Sequence, residues 1–207
     1  MNTILVFDLD NTLYPYQSGL YTHINERMNC FIAERLCQSL SEVDRVRTRF
    51  IQQYGTTQEG LSKHYGISPQ DFLAYAHDIQ IERFIQPNHC LKELMKSIPF
   101  PKYLFSNSPL LAIQRVLAHL EIDQFFSGLI SIETSQYIGK PNPSSFQAII
   151  KILPEKCDKV LFFDDEPKNI EAGKVFGFHG VWVNGKQYPP LQYYEDYLIP
   201  LIKESVQ

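Results

Sequence analysis

No run of about 18 consecutive apolar residues occurs in this chain, which removes a membrane-spanning helix from the sequence-level readings. The first ten residues hold Asp8 and Asp10 where a secretory signal would need a basic start and an apolar segment, so a soluble, cytoplasmic protein is expected. A lysine- or arginine-rich tract is missing too. The 19 basic residues are dispersed among 23 acidic ones for a net charge of -4, so neither a nucleic-acid polymer nor an anionic membrane is expected as a partner. Cysteine is scarce and scattered: Cys30, Cys37, Cys90 and Cys157 form no CxxC pair and have no histidine at zinc-like spacing. Reduced, mostly buried thiols are expected in place of a zinc or disulfide site. The histidines are dispersed as well, and none falls in a Ser/His/Asp arrangement that local sequence identifies. Internal repeats and low-complexity segments are absent. What is present is a chain of 207 residues, 44% hydrophobic, enough to form a core in one elaborated domain or two small ones. Small-molecule chemistry is the default reading.

Five short apolar segments rich in β-branched or aromatic residues read as strands: Ile4 to Phe7, Tyr103 to Phe105, Leu129 to Ile132, Val160 to Phe163 and Val181 to Val183. Between the last four lie helical patterns at Leu110 to Leu120, Ser144 to Leu153 and Asn169 to Phe176. Strand and helix in alternation predict right-handed βαβ units and an open parallel sheet, an α/β fold. The first strand is followed instead by a long interval with almost no strand signal. Helices are expected there at Tyr21 to Leu36, Ser41 to Tyr54, Thr57 to Tyr65 and Pro69 to Phe84, with Ser41 and Ser68 as N-caps and Gly55 and Gly66 as stops. This insertion should form a small helical bundle over residues 15–87, leaving 1–14 and 88–207 as the sheet domain, which Asn88 to Lys96 re-enters as a helix. The segment Leu191 to Glu204 reads as a last helix, kinked or ended by Pro200.

In an open α/β sheet, ligands bind beyond the carboxyl ends of the strands. Polar and ionisable groups follow four of the five strands in turn: Asp8 and Asp10 in "DLDNT", Ser106 and Asn107 in "FSNS", Lys140 in "GKPNP", then Asp164 and Asp165 in "FFDDEPKNI". Their chemistry is complementary. A carboxylate can attack phosphorus and divide one displacement into two easier ones, a task suited to Asp8. A second carboxyl group can protonate the departing alkoxide and then take a proton from water, which suits Asp10 if the backbone turns after Leu9. Acids gathered around an anionic substrate call for a hard cation, and Asp165, Asp8 and the backbone carbonyl of Asp10 could hold Mg2+. Ser106 and its loop would donate to phosphoryl oxygens while the Lys140 ammonium offsets negative charge. Thr12 is expected to stabilise the turn. Tyr14, Tyr16, Tyr21 and His23 are read chiefly as packing at the hinge of the insertion, with stacking on a ligand ring as the other reading.

The four motifs, in this order, resemble those of the haloacid dehalogenase-like hydrolase superfamily over effectively the whole chain. The resemblance implies a Rossmann-like sheet of strand order 3-2-1-4-5 with the insertion as a C1-type α-helical cap. It implies Asp8 as nucleophile, Asp10 as acid/base, Ser106 and Asn107 as phosphate ligands, Lys140 as charge-balancing lysine and Asp165 as metal ligand, with Asp164 reaching the metal directly or through water. Asp164 stands where many relatives have glycine, and Asn169 where they have an acid. "DLDNTLYP" with "SN" and "GKPNP" is similar to the pyrimidine 5'-nucleotidase group, which implies a nucleoside 5'-monophosphate as substrate; a monomer or homodimer is expected. Another small phosphorylated metabolite, such as a sugar phosphate or phosphoglycolate, is the alternative. Phosphomutase, dehalogenase and nonenzymatic scaffold follow behind. Asp10 weighs against dehalogenation, because a halide leaves without a proton.

Overall fold

Thr3–Phe7 (β1) is buried along its whole length, and a strand with no exposed face must be flanked on both edges and covered on both sides. The computed structural model, which describes residues 2–206, supplies those neighbours. Strands β2 (Lys102–Phe105), β3 (Gly128–Ile130), β4 (Lys159–Asp164) and β5 (Phe178–Trp182) complete a five-stranded sheet in the order β3-β2-β1-β4-β5. All four pairings are parallel, and β1 lies between β2 and β4.

Alternation along the strands divides the core between two faces. Leu5 and Phe7 of β1, with Leu104 and Phe163, pack beneath helices α5 (His89–Ser97) and α6 (Leu110–His119) and the C-terminal helical segment. Ile4 and Val6, with Phe105 and Phe162, face α7 (Pro143–Ile150) and α8 (Pro167–Val175). Between β1 and α5 come α1 (Leu20–Leu36), α2 (Leu40–Tyr54), α3 (Thr57–Tyr65) and α4 (Pro69–His77), which enclose a cluster around Phe31, Val43, Phe50, Leu61 and Phe72. No helix among the described residues is long and apolar enough to cross a membrane.

Several boundaries differ from those read in the sequence. The N-cap of α2 is Ser39, not Ser41: the Ser39 amide and hydroxyl both donate to the Glu42 carboxylate, at 2.8 and 2.6 Å. Helix α4 stops at His77 instead of running to Phe84, and Arg115 takes up the freed carbonyls of Ile79, at 2.6 Å, and His77, at 3.4 Å. The chain beyond it then delivers Ile79, Ile81 and Ile85 to the core under the sheet. β5 begins at Phe178, which pairs with Val160, because Gly180 breaks the apolar pattern there. That glycine is required: a Cβ would stand 2.4 Å from the Ile170 side chain, so its absence lets α8 rest on the strand. β3 ends at Ile130, and Ile132 opens a short 3-10 turn and packs into the insertion's cluster. The last helix widens to a π-helical segment at Tyr193–Leu198 before α-helical Ile199–Ser205, where Pro200 is accommodated in the first turn. The cysteines are free, but Cys30, Cys37 and Cys90 are exposed and only Cys157 is half-buried. These three lie on outward helix surfaces or ends, which their apolar character alone does not reveal.

Candidate active site

Register builds the site. Because Phe7 pairs with Leu104 on one side and Phe163 on the other, the next residue of each strand, Phe105, Asp8 and Asp164, comes to the same level at the carboxyl end of the sheet. Lys140 enters from the loop after β3 and joins these three strands. Its Nζ donates to Asp8 Oδ1 at 2.8 Å, to the Phe105 carbonyl at 2.7 Å and to Asp164 Oδ2 at 2.7 Å. An ammonium has three N–H donors, so all are used inside the protein. Lys140 can therefore oppose charge on a ligand through its field, while its hydrogen bonds stay with the two carboxylates and the Phe105 carbonyl. Burial pulls its pKa down, but Asp164 and Asp8 outweigh that and hold it above the ordinary lysine value.

After Asp8 the backbone turns: the amides of Thr12 and Leu13 both donate to the Leu9 carbonyl. This is the turn after Leu9 that the role of Asp10 requires, and it leaves the Asp10 carbonyl out of its own bonding. The Asp10 side chain is gripped at both oxygens, by the Tyr14 hydroxyl and, at 2.7 Å, by the Ser108 hydroxyl. Ser108 in turn lies 3.4 Å from His77 Nε2 at the end of α4, whose Nδ1 is 2.9 Å from the Leu73 carbonyl. Burial depresses the His77 pKa and favours the neutral ring.

Ser106 and Asn107, the expected phosphate ligands, also make contacts within the protein. Ser106 is 1% exposed, and its Oγ accepts from the Ser108 amide at 3.0 Å. The Asn107 carboxamide clamps the Lys140 backbone, accepting from its N–H at 2.7 Å and donating to its carbonyl at 3.0 Å. Both therefore shape the loops that carry the charged groups. Thr12 is fully buried and its hydroxyl has no partner among the described residues, so the turn is not held by it. Tyr14 is likewise fully buried, which rules out stacking on a ligand.

Asp8, Asp164 and Asp165 each bring one carboxylate oxygen to within 4.8 Å of the others. These all-oxygen donors fit a hard cation such as Mg2+. Asp164 is the least available of the three. It is fully buried and takes Lys140, the Glu166 amide at 2.9 Å and Asn169 Nδ2 at 2.9 and 3.1 Å. Asp165 receives only Asn11 Nδ2, at 3.2 Å, among the described side chains, and Asp8 only Lys140. Asp8 and Asp165 therefore each keep an oxygen for a cation or substrate. Burial, joined by the neighbouring carboxylates, pushes Asp8 upward and Asp165 up to about 7.

Two neighbouring chambers open above these groups. A small one, about 70 Å³, is bordered by Asp8, Asp10, Asn11 and Asp165. The other, about 270 Å³, extends between the sheet and α2–α4 and shares Asp10, Tyr21, Asn107 and Lys140 with the first. Tyr14, Ser108 and His77 are the residues that sequence reasoning missed as part of the site. Tyr14 had a signal in its spacing of four from Asp10, one helical turn. His77 had none, since only the fold brings the end of α4 to the β2 loop.

Residues 3–177 match the family described as haloacid dehalogenase-like hydrolase. Among curated proteins, the chain is 24% identical over 191 residues to Phosphate metabolism protein 8 of Saccharomyces cerevisiae, covering 84% of this chain and 59% of that protein. It is 32% identical over 92 residues to (S)-2-haloacid dehalogenase 2 of a Pseudomonas species, covering 44% of this chain and 40% of that one. The chain thus spans less than two thirds of the length of either relative. Among solved structures, the HAD-hydrolase YfnB of Bacillus subtilis bound to magnesium superposes with a TM-score of 0.60 at 16% identity, covering 90% of this chain and 91% of that one. The L-2-haloacid dehalogenase of Xanthobacter autotrophicus with covalently bound chloropropionic acid gives 0.56 at 16% identity, covering 100% and 88%. At these identities the structural likeness establishes the fold.

Proposed function

The chain belongs to the haloacid dehalogenase-like hydrolase family, and from that premise we propose that it is a cytoplasmic, Mg2+-dependent phosphomonoester hydrolase acting through an aspartyl-phosphate, with a nucleoside 5'-monophosphate as substrate. The observation that carries this reading is Asp10, held at both oxygens beside the nucleophile's chamber by Tyr14 and Ser108. Expulsion of an alkoxide needs such an acid, and loss of a halide does not. The name of the yeast relative, a phosphate metabolism protein, agrees with it.

In this reading the free oxygen of Asp8 attacks phosphorus, and the bond from phosphorus to the ester oxygen breaks as Asp10 gives that oxygen a proton. Asp10 then takes a proton from water, which attacks the aspartyl-phosphate and releases phosphate with Asp8 restored. Lys140 aligns Asp8 through its hydrogen bond and opposes the upward push of burial on that carboxyl group. Asp8, Asp165 and the Asp10 carbonyl are the groups that would hold Mg2+, which when bound neutralises the acidic cluster and the phosphoryl oxygens. Residues 15–87 serve as the cap that excludes bulk water from the chambers.

Phosphate release from a panel of phosphomonoesters, with Mg2+ supplied and a 2-haloacid included, tests the proposal. Nucleoside 5'-monophosphates should be hydrolysed and halide should not appear. Asp8→Asn should lower turnover by about a thousandfold or more, as expected when a covalent nucleophile is lost, with the fold retained. Turnover by that variant at the wild-type rate, or halide release in place of phosphate, would sink the reading.

A further inference from the structure

The 270 Å³ chamber is lined by polar groups that the catalytic steps leave unused. Arg47 of α2 borders it with both terminal nitrogens of its guanidinium braced by neutral acceptors, the Asn25 carbonyl at 3.2 Å, Asn29 Oδ1 at 2.6 Å, Asn25 Oδ1 at 2.6 Å and Met28 Sδ at 3.5 Å, which leaves Nε–H as its unpaired donor. No carboxylate among the described residues lies within ion-pair distance of it. Its Nε is buried and has no hydrogen-bond partner among the described residues. The same holds for Gln58 Nε2 and Thr56 Oγ1, on residues only 5% and 6% exposed that line the same chamber. Gly55, with φ at 84°, turns the chain between α2 and α3 and so brings Arg47 and Thr56–Gln58 to one wall.

A guanidinium has donors and no acceptor, and its polarity cannot be reversed by rotation. A ligand group facing Arg47 must therefore accept, and an amine placed there would meet both a like dipole and a positive charge. We propose that this wall is a leaving-group subsite that selects phosphomonoesters carrying acceptor oxygens, either the carbonyls of a dioxo base or a carboxylate. The proposal rests on the phosphomonoesterase reading and adds what the ester must carry beyond its phosphate. A site built to hydrogen-bond a substrate group discriminates strongly against analogues lacking it, because its buried donors are then left unpaired.

The test is kcat/KM with Mg2+ for phenyl phosphate, uridine 5'-monophosphate, cytidine 5'-monophosphate and 2-phosphoglycolate, in wild type, Arg47→Met and Gln58→Met. Phenyl phosphate offers no acceptor beyond the ester itself, and cytidine replaces one carbonyl of uridine with an amino group. Wild type should prefer uridine monophosphate or phosphoglycolate over phenyl phosphate by about tenfold or more. That ratio should fall at least about fivefold in each variant that keeps a native melting profile. A uridine-over-cytidine preference assigns the acceptor to a base, and a phosphoglycolate preference assigns it to a carboxylate. Unchanged ratios in both variants, or a wild-type preference for phenyl phosphate, overturn the subsite. If wild type hydrolyses no ester, the catalytic reading fails by itself, and titration calorimetry with uridine 5'-monophosphate and 2-phosphoglycolate decides the subsite. A tenfold weaker Kd in Arg47→Met, or in Gln58→Met should the first variant not fold, then upholds it; equal Kd values, or no binding to wild type, reject it.

Discussion

Lys140 meets three acceptors because three adjacent strands end at one level, and that arrangement makes it structural as well as electrostatic. Removing one partner from a buried ion cluster leaves the others charged and desolvated. Lys140→Met should therefore lower unfolding stability by about 3–5 kcal/mol in urea titrations, besides abolishing activity. A variant as stable as wild type would show that Asp8 and Asp164 do not depend on it. Asn107 acts one step further out: Asn107→Ala removes both bonds to the Lys140 backbone and leaves the charges in place. We expect kcat to fall about tenfold to a hundredfold, with stability down by about 1–3 kcal/mol. A change confined to KM would instead make Asn107 a substrate contact. At this scale the charged residues were legible because each follows a strand, and the neutral ones were legible only as positions. Whether the amide of Asn107 faces a phosphate or a backbone depends on the path of the Lys140 loop, which no local pattern encodes.

Helices were read more securely than their ends. Gly55 and Gly66 stop α2 and α3 in left-handed conformations, at φ of 84° and 64°, as glycine after a periodic run suggests. For the start of α2, two serines compete at positions 39 and 41, and the two bonds that Ser39 donates to the Glu42 carboxylate decide it. Ser39→Ala should destabilise the protein by about 1 kcal/mol and Ser41→Ala by less than about 0.5 kcal/mol, measured by thermal melts. The opposite order would place the cap at Ser41. The end of α4 was illegible for a different reason: its apolar spacing continues past His77, but tertiary burial of Ile79 and Ile81, with Arg115 capturing carbonyls, overrides local propensity. That early stop also places His77 beside Ser108.

The sheet order was implied by the family resemblance of the four motifs, and the helical insertion was foreshadowed by the long gap without strands. The closing role of the C-terminal segment was not. Tyr193 donates to the Thr12 carbonyl at 2.8 Å and Tyr194 to the Leu13 carbonyl at 3.3 Å, so the end of the chain buttresses the turn that carries Asp10. Burial raises both phenols above the ordinary value of 10.0. The native state then holds these protons to higher pH than the unfolded chain does. Stability is intact below about pH 10 and falls above it, by about 1.4 kcal/mol per pH unit for each phenol. Denaturant midpoints at pH 8, 10 and 11 should show the loss, and Tyr194→Phe should reduce the slope; a flat profile would contradict the burial of these hydroxyls. The placement of β1 has a further consequence for biosynthesis. Made before both of its sheet neighbours, it must wait for some ~95 residues to reach β2, which at ~5–20 residues per second is on the order of 5–20 s on the ribosome. During that delay an apolar strand has nothing to zip against, so nascent chains arrested before Lys102 should depend on chaperones, and the nucleophile cannot be seated until β4 has also been made.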